Sequence, residues 1–333
     1  MTAPSPPPIQ QQYDALTQTV ALIDRSNIGR LSLAGEDALD LLDRLSTNAL
    51  QDLAVGHGAT TVLTSNKGRI VDVLFVLQEA DSLFVLTGPG NQETVSSWID
   101  FYTIIEDVTS RDLTGETAIL SLAGPDAPTT LGELLPAQTK VPNAHEAVSA
   151  VISEVQATVI RTDFIGAPAY DIVVANTDGL QLRNILLEVG AEPAGIDVTE
   201  ALRVEKGMPA FGKELGESYN PLEAGLMPLI SFTKGCYIGQ EVVARLNTYD
   251  KVQKSLVGLQ WDGDSAVESG TRLLLDDKQV GVMTTAAMSP RIAGVIGLGY
   301  VRKAYATPES ELLLESPGGP TPVRVTPLPF DTD

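Results

Sequence analysis

Apolar and polar positions follow two similar patterns in the first half of the chain. The octapeptide Leu-Ser-Leu-Ala-Gly-Glu-Asp-Ala at Leu31–Ala38 recurs with a single change at Leu120–Ala127. Each copy predicts a strand, a glycine turn and an aspartate near a helix start. The helices that follow share a stripe at i, i+3, i+4 and i+7, the spacing of a core-facing helix: Ala38, Leu41, Leu42 and Leu45, matched by Ala127, Thr130, Leu131 and Leu134.

Similar elements follow each copy of this repeat. In both cases, strand-like runs and a helix with one apolar face predict an antiparallel sheet backed by helices. After the first copy they are Thr60–Thr64, Ile70–Leu77, Leu83–Thr87 and a helix opening at Asn91; after the second, Val155–Arg161, Tyr170–Ala175 and a helix with Leu182, Ile185, Leu186 and Val189, ended by Gly190. We therefore predict two related α+β units, which need not be contiguous in the chain.

The pattern changes beyond Asp250–Lys254. Short strand-like runs separated by Gly, Pro and Asp are typical of a small β-barrel. They are Ser255–Trp261, Arg272–Leu275, Gln279–Thr285, Gly294–Arg302, Glu311–Glu315 and Val323–Thr326. The predicted fold is α+β, with ferredoxin-like-type domains and a C-terminal β-barrel over residues 251–330.

Composition and charge narrow the class of protein. The chain has 333 residues and a formal net charge of −21, which disfavours general nucleic-acid binding because such a surface repels phosphate. It has no apolar run long enough to span a bilayer, and its proline-rich start reads as a disordered tail over residues 1–12 rather than a signal peptide. A single cysteine suits a reducing compartment, so we predict a cytoplasmic protein without membrane association.

That cysteine, Cys236, is the first candidate functional residue. It lies in Lys-Gly-Cys-Tyr-Ile-Gly-Gln-Glu at Lys234–Glu241, just before a predicted helix. Backbone amides at a helix start and a nearby lysine favour the thiolate, which predicts a reactive thiol. A buried structural cysteine is the alternative.

Three segments together resemble the glycine-cleavage T-protein superfamily. They are Glu200–Pro209, Asn220–Leu226 and the Cys236 octapeptide, and the resemblance extends from about Val20 to Val325. The octapeptide is similar to the folate-binding branch of YgfZ and IBA57-type proteins, which is implicated in the maturation of iron–sulfur proteins. The resemblance implies two related α+β domains over residues 13–250, one of them discontinuous, with an inserted subdomain at about 52–117. It also implies a barrel, and a central channel that accepts tetrahydrofolate.

The resemblance also implies the ligand-binding residues. Asp171 matches the acid that holds the pterin ring, where relatives commonly carry Glu; a carboxylate would accept bonds from the pterin amino and ring N–H groups. Arg203 matches an arginine that helps line the folate site, and Asp72 the first of two consecutive aspartates. The alternatives are a strand-edge acid facing solvent for Asp171 and a structural ion pair for Arg203.

One position departs from the T-protein pattern. Val73 occupies the place of the second aspartate, the acid that T-proteins need for aminomethyl transfer. Valine cannot donate or accept a proton. Strand alternation directs Asp72 to the opposite face, so it would not substitute. We therefore do not expect a working aminomethyltransferase.

The remaining motif residues have two interpretations each. Lys234 either stabilises the Cys236 thiolate or is simply solvated, while Gly235 and Gly239 allow a tight turn or a close ligand. Gln240 and Glu241 support the motif or satisfy the free amides of the helix start. Glu223 either contributes to the site or caps a turn.

These residues lead to three functional hypotheses. The favoured one is a tetrahydrofolate-binding accessory protein for iron–sulfur cluster assembly or repair, with iron–sulfur client or assembly proteins as partners. The second is a folate-dependent aminomethyltransferase of the T-protein type, and the third is a relative that has lost the ligand. With one cysteine and two histidines, His57 and His145, the chain predicts no stably bound metal or cluster.

Overall fold

A computed structural model describes residues 7–263, 267–316 and 319–330. The chain divides into two compact units. The first comprises the residues up to Thr61 together with Val73–Thr199, and the second comprises Val62–Asp72 together with the residues from Glu200 onward. Each of the two units is therefore made of two separate stretches of the chain.

Helices and strands alternate in the first unit and strands dominate the C-terminal part. The α-helices are α1 Ile9–Gln18, α2 Ala38–Leu45, α3 Gln92–Tyr102, α4 Ala127–Leu134, α5 Gly179–Glu188, α6 Ile196–Glu205 and α7 Gln240–Thr248. The strands are β1 Ala21–Asp24, β2 Ile28–Ala34, β3 Gly58–Thr64, β4 Ile70–Gln78, β5 Ser82–Pro89, β6 Thr109–Asp112, β7 Thr117–Ala123, β8 Ala147–Ile152, β9 Val155–Arg161, β10 Ala169–Ala175, β11 Glu192–Pro193, β12 Lys254–Trp261, β13 Arg272–Leu275, β14 Lys278–Ser289, β15 Gly294–Arg302, β16 Glu311–Ser316 and β17 Gly319–Thr326.

The repeated octapeptide forms the same structure twice. Strands β2 and β7 are each followed by a glycine with positive φ, 119° at Gly35 and 121° at Gly124, and helices α2 and α4 begin three residues after that glycine. A residue with a Cβ is strained at such angles, which is why both copies use glycine. In each copy, the leucines at the predicted helix positions turn inward; Leu41 and Leu131 are fully buried.

The two sheets of the fold have different strand orders. The first is β11-β1-β7-β10-β9-β8, and the second is β3-β4-β5-β2-β6. Alternate residues of β10 serve two cores. Tyr170 and Ile172 pack with α4 and α5 residues, whereas Val173 packs with Ile119 and with Phe84 of the second sheet. The side chain of Asp171 therefore lies on the same face of β10 as Val173, opposite Tyr170 and Ile172.

The C-terminal strands form the predicted barrel. Six strands close in the order β12-β15-β14-β13-β16-β17, and β12 pairs with β17 to complete the ring. Inward residues such as Leu259, Met283 and Leu314 are fully buried. The α+β architecture with a C-terminal barrel is confirmed.

Two boundaries differ from the sequence prediction. Residues 1–6 of the predicted tail lie outside the described residues, but α1 begins at Ile9, inside that tail. Its Gln12 is buried and accepts a hydrogen bond from the Gly195 backbone at 2.7 Å, which supplies the tertiary contact that composition does not reveal. The second sheet also starts earlier than the predicted insertion at about 52, because β2 pairs with β5 and β6.

Substituting Gly124 tests the repeated turn. A Cβ at Gly124 would lie 2.6 Å from the Thr19 carbonyl oxygen and 2.9 Å from that of Ala15, at a φ of +121°. We expect Gly124→Ala to lower the free energy of unfolding by about 1–3 kcal/mol, measured by urea denaturation. Gly132→Ala, within α4, is the matched control. Its Cβ would lie 3.5 Å from the Val141 side chain, and inside a helix alanine is favoured over glycine by up to about 1 kcal/mol. Equal effects at both positions would contradict the strain argument.

Candidate functional site

Asp171 lies in the middle of the first sheet and is completely buried. Strand β10 lies between β7 and β9, and Asp171 is directly opposite Ser121 of β7. The Ser121 hydroxyl donates a hydrogen bond to Asp171 Oδ1 at 2.5 Å. The alternative of a solvent-facing acid at a strand edge is therefore wrong, because the strand is central and the carboxylate is enclosed.

Arg25 covers this carboxylate. Its Nη1 donates to both oxygens of Asp171, at 2.8 and 2.7 Å, and its guanidinium carbon lies 3.5 Å from the centre of the Phe164 ring. The Arg25 side chain is 14% exposed and that of Asp171 is 0% exposed. Burial lowers the pKa of Arg25, and the charge and hydrogen bond of Asp171 act in the opposite direction. A buried ion pair thus closes the position at which the resemblance implies a pterin acceptor.

The loop between β9 and β10 presents Phe164. Asp163 has a φ of 45°, and its carboxylate accepts hydrogen bonds from the Ala169 backbone at 3.0 Å and from Arg161 Nε at 3.1 Å. The Gly166 backbone donates to the Asp163 carbonyl, which tightens the turn. Aspartate tolerates the left-handed conformation and bonds to nearby backbone, so this sequence favours the turn. It holds the phenyl ring beside Arg25.

Cys236 is exposed, as a reactive thiol requires. It lies in an irregular segment four residues before the first residue of α7, whose N-cap is Gly239. The next residue, Tyr237, is buried, and this burial raises its pKa to about 12. The ammonium of Lys234 lies 5.6 Å from the centre of the Tyr237 ring. The buried-cysteine alternative is therefore wrong: the chain buries the tyrosine and leaves the sulfur at the surface.

Two glycines bring the Cys236 segment against the turn between β3 and β4. Gly239, with a φ of 85°, has room for no side chain, because a Cβ would lie 2.5 Å from the Ser65 carbonyl oxygen and 3.0 Å from Gly68 Cα. The Thr64 hydroxyl also donates to the Ile238 carbonyl at 2.5 Å. Close approach of the two backbones thus explains why a glycine occupies position 239. This contact joins two motifs that are far apart in sequence.

The rest of the octapeptide lies around this contact. Gln240 Nε2 donates to the Gly235 carbonyl at 3.5 Å, across the segment that carries Cys236. Glu241 is exposed in the first turn of α7, and Gly235 is exposed with open space around its Cα. These placements are compatible with a supporting role for the motif and assign no contact to a ligand.

Asp72 and Val73 differ in burial along β4. Asp72 is fully buried and Val73 is half-buried. The position where T-proteins carry the second aspartate therefore has a partly accessible aliphatic side chain.

Glu223 forms a cap as well as an ion pair. Its carboxylate accepts the Asn220 backbone N–H at 3.1 Å, while the Asn220 side chain accepts the backbone N–H of Glu223 at 3.0 Å. This reciprocal pair has the form of a capping box and confirms the capped turn. Arg69 Nη1 lies 3.4 Å from Glu223. Burial lowers the pKa of nearby Lys254, and the charge of Glu223 acts in the opposite direction.

Arg203 belongs to a buried polar network. Its guanidinium donates to Glu200 at 2.9 and 2.6 Å, to Glu214 at 2.9 Å, to Thr285 at 3.2 Å and to the Met208 carbonyl. A guanidinium has five N–H groups, and each of these bonds uses one. This one-to-one match favours the structural ion pair over a direct ligand contact.

Sequence reasoning missed the residues that surround Asp171. Ser121 lies inside the repeated octapeptide. The repeat therefore predicted the strand that carries Ser121, but it did not indicate that Ser121 bonds to Asp171. Arg25 carried no signal at all, because it is 146 residues from Asp171 and follows an ordinary strand end. Within the described residues, no cluster of three or more His, Cys, Asp or Glu side chains has the arrangement of a metal site.

The chain matches two family domains. The GCVT N-terminal domain matches residues 3–234, and the glycine cleavage T-protein C-terminal barrel domain matches residues 254–331. The chain therefore belongs to the glycine cleavage T-protein family.

Known relatives cover most of the chain. An aminomethyltransferase of Rubrobacter xylanophilus is 29% identical over 97% of this chain and 86% of its own length. A chloroplastic protein of Arabidopsis thaliana, whose name specifies a transferase without a substrate, is 30% identical over 89% of this chain and 68% of its own length. The aminomethyltransferase T of the Bartonella henselae glycine cleavage system has the same fold, with a TM-score of 0.85, 18% identity, and coverage of 97% of this chain and 89% of that one. In the part of the chain that the structure describes, no helix has the length and apolar character needed to cross a membrane.

Proposed function

We propose that this protein binds tetrahydrofolate and supports the assembly or repair of iron–sulfur proteins, with Cys236 as a reactive surface thiol. The observation that carries the proposal is the exposed sulfur of Cys236 in an octapeptide whose neighbouring tyrosine is buried. Its partners would be iron–sulfur client or assembly proteins, and its location the cytoplasm. Val73, in place of an acid, supports a role other than aminomethyl transfer.

The residues around Asp171 fit a pterin. Asp171 has two carboxylate oxygens for the amino and ring N–H groups, and Phe164 has a flat apolar face against the Arg25 guanidinium that binds these oxygens. Both are the contacts that a planar heterocycle with a donor edge uses. Arg203 would act by positioning the helix end that carries it, since its N–H groups already have acceptors. Asp72 remains a candidate binding residue.

Aminomethyl transfer is the second candidate function, and the names of the relatives favour it over the accessory role. The Rubrobacter relative and a Picosynechococcus relative, 26% identical over 97% of this chain, are both named aminomethyltransferase. Transfer at a folate nitrogen needs a group that gives or takes a proton. Val73 cannot do this, so another acid would have to replace it. Methylenetetrahydrofolate formation from an aminomethylated carrier protein would establish this function and replace the first proposal.

Cys236→Ser tests the accessory role. We expect the variant to leave cluster-dependent enzymes in a deletion strain at less than about a tenth of the activity restored by the wild type, because a hydroxyl is a far weaker nucleophile than a thiolate. The measurement is the activity of those enzymes at matched protein levels. Thr233→Ser, at an exposed position of the same segment, is the control and should restore full activity. Full restoration by both Cys236→Ser and Cys236→Ala would rule out a thiol function.

A further inference from the structure

The Arg25 side chain occupies Asp171 as a ligand would. One guanidinium nitrogen donates to both carboxylate oxygens, and the guanidinium carbon lies 3.5 Å from the centre of the Phe164 ring. The Asp171 side chain is 0% exposed, and the Arg25 side chain that binds both of its oxygens is 14% exposed.

A guanidinium and the amino-pyrimidine edge of a pterin have the same recognition chemistry. Both are planar, both present N–H donors from adjacent nitrogens, and both stack on aromatic faces. A carboxylate beside a phenyl ring accepts either one. The Asp171 carboxylate cannot bind a guanidinium and a pterin at the same two oxygens, because the Ser121 hydroxyl already donates a hydrogen bond to Oδ1 at 2.5 Å.

We propose that Arg25 is an intramolecular placeholder, and that tetrahydrofolate binds by displacing the Arg25 side chain from Asp171 and from the Phe164 ring. This inference rests on the proposed folate function and adds its regulation: Arg25 closes the site in most molecules of the free protein, and a bound donor edge keeps it open. Arg25 is thus a specificity-determining residue, because a ligand lacking such an edge leaves the buried carboxylate without its partner.

The local structure permits this movement. Arg25 lies in the short turn between β1, which ends at Asp24, and β2, which begins at Ile28. Its backbone N–H donates to the Ile119 carbonyl at 2.9 Å, and its carbonyl accepts the Ile28 N–H at 3.0 Å. Rotation about side-chain bonds leaves both backbone bonds intact. The displaced guanidinium would enter water at the exposed side of the turn, where Asn27 is exposed.

Closure by Arg25 raises the apparent dissociation constant for folate, because only the open fraction of molecules can bind it. If the buried pair is formed in about 90–99% of molecules, the apparent dissociation constant is about 10–100 times the intrinsic one. Removing the guanidinium while keeping its apolar stem should therefore tighten binding by that factor. This is the opposite of what removing a ligand-contacting arginine would do.

The test is an anaerobic calorimetric titration with tetrahydrofolate. Arg25→Met keeps a flexible stem beside Phe164 but cannot donate to Asp171, and we expect it to bind about 10–100 times more tightly than the wild type. Arg25→Gln retains a weaker donor and should lie between the two. Arg111→Met is the matched control, because Arg111 pairs with Glu116 at the surface of the same unit; its affinity should equal that of the wild type.

The outcomes separate the two proposals. Equal or weaker binding by Arg25→Met, with binding lost in Asp171→Ala, would overturn the placeholder role and leave the folate site standing. Absence of binding by the wild type and by both Arg25 variants, each shown to be folded by its thermal unfolding transition, would overturn both. A second readout is the guanidinium nitrogen NMR signal of Arg25, which should show slow hydrogen exchange in the free protein and fast exchange once tetrahydrofolate is added. A signal unaffected by bound folate would contradict displacement.

Discussion

Asp171→Ala is expected to remove most tetrahydrofolate binding and to destabilise the fold at the same time. A hydrogen bond to a charged group contributes about 1.5–3 kcal/mol, so losing the carboxylate should raise the dissociation constant at least ~10–100-fold. The variant also leaves the guanidinium of Arg25 in a largely buried position without its partner, which costs about 3–5 kcal/mol. Anaerobic titration measures the first effect and urea denaturation the second.

A double variant separates these two effects. Removing both charges of a buried pair is far less costly than removing one, so Arg25→Met combined with Asp171→Ala should recover much of the lost stability without recovering folate binding. Asp81→Ala, at an exposed turn between β4 and β5, controls for the loss of a surface carboxylate and should change neither quantity. Unchanged folate affinity in Asp171→Ala would show that the pterin is held elsewhere.

Glu214→Ala should produce the second large effect, on stability. Glu214 is completely buried and accepts hydrogen bonds from Arg203 at 2.9 Å, from the Ala210 backbone at 3.0 Å, and from Thr284 and Thr285 at 2.7 and 2.5 Å. Its removal takes the acceptor from the Ala210 N–H, the Thr285 hydroxyl and one Arg203 N–H, whereas Thr284 can still donate to the Leu298 carbonyl. We expect the free energy of unfolding to fall by about 3–5 kcal/mol, measured by urea denaturation.

A surface pair of the barrel provides the control for Glu214. Arg272 and Glu315 form an ion pair with side chains 53% and 45% exposed. Exposed pairs contribute about 0–1 kcal/mol, so Glu315→Ala should be nearly neutral. If Glu214→Ala were equally mild, the network would be relaxed or hydrated in solution, and the positioning role of Arg203 would lose its basis.

Local patterns predicted most of the elements in this fold. The repeated octapeptide located β2 with α2 and β7 with α4, and the bounds of β9, β13 and β15 agree with the sequence prediction. Helix α1 was missed, because only tertiary contacts of Gln12 and Tyr13 order that proline-flanked segment. Strand β8 was missed too: its alternation is weak, and pairing with β9 stabilises it.

The candidate site could be predicted from the sequence only in part. The resemblance pointed to Asp171 and Arg203, but it could not show what each side chain bonds. Arg203 could be a ligand contact or an ion-pair partner in any helix with this sequence. The choice depends on Glu214, which is 11 residues along the chain, and on Thr285, which is 82 residues away.

By itself, the sequence determined the element types, the repeated unit, the barrel and the motif that carries Cys236, because periodicity, turn glycines and short signatures are local properties of a chain. Tertiary structure alone decided that Cys236 is exposed while Tyr237 is buried, that Gly239 meets Gly68, and that Arg25 closes over Asp171. These are contacts between segments far apart in sequence. They follow from strand order and from the exclusion of water from the sheet interior, where a buried carboxylate must find a donor.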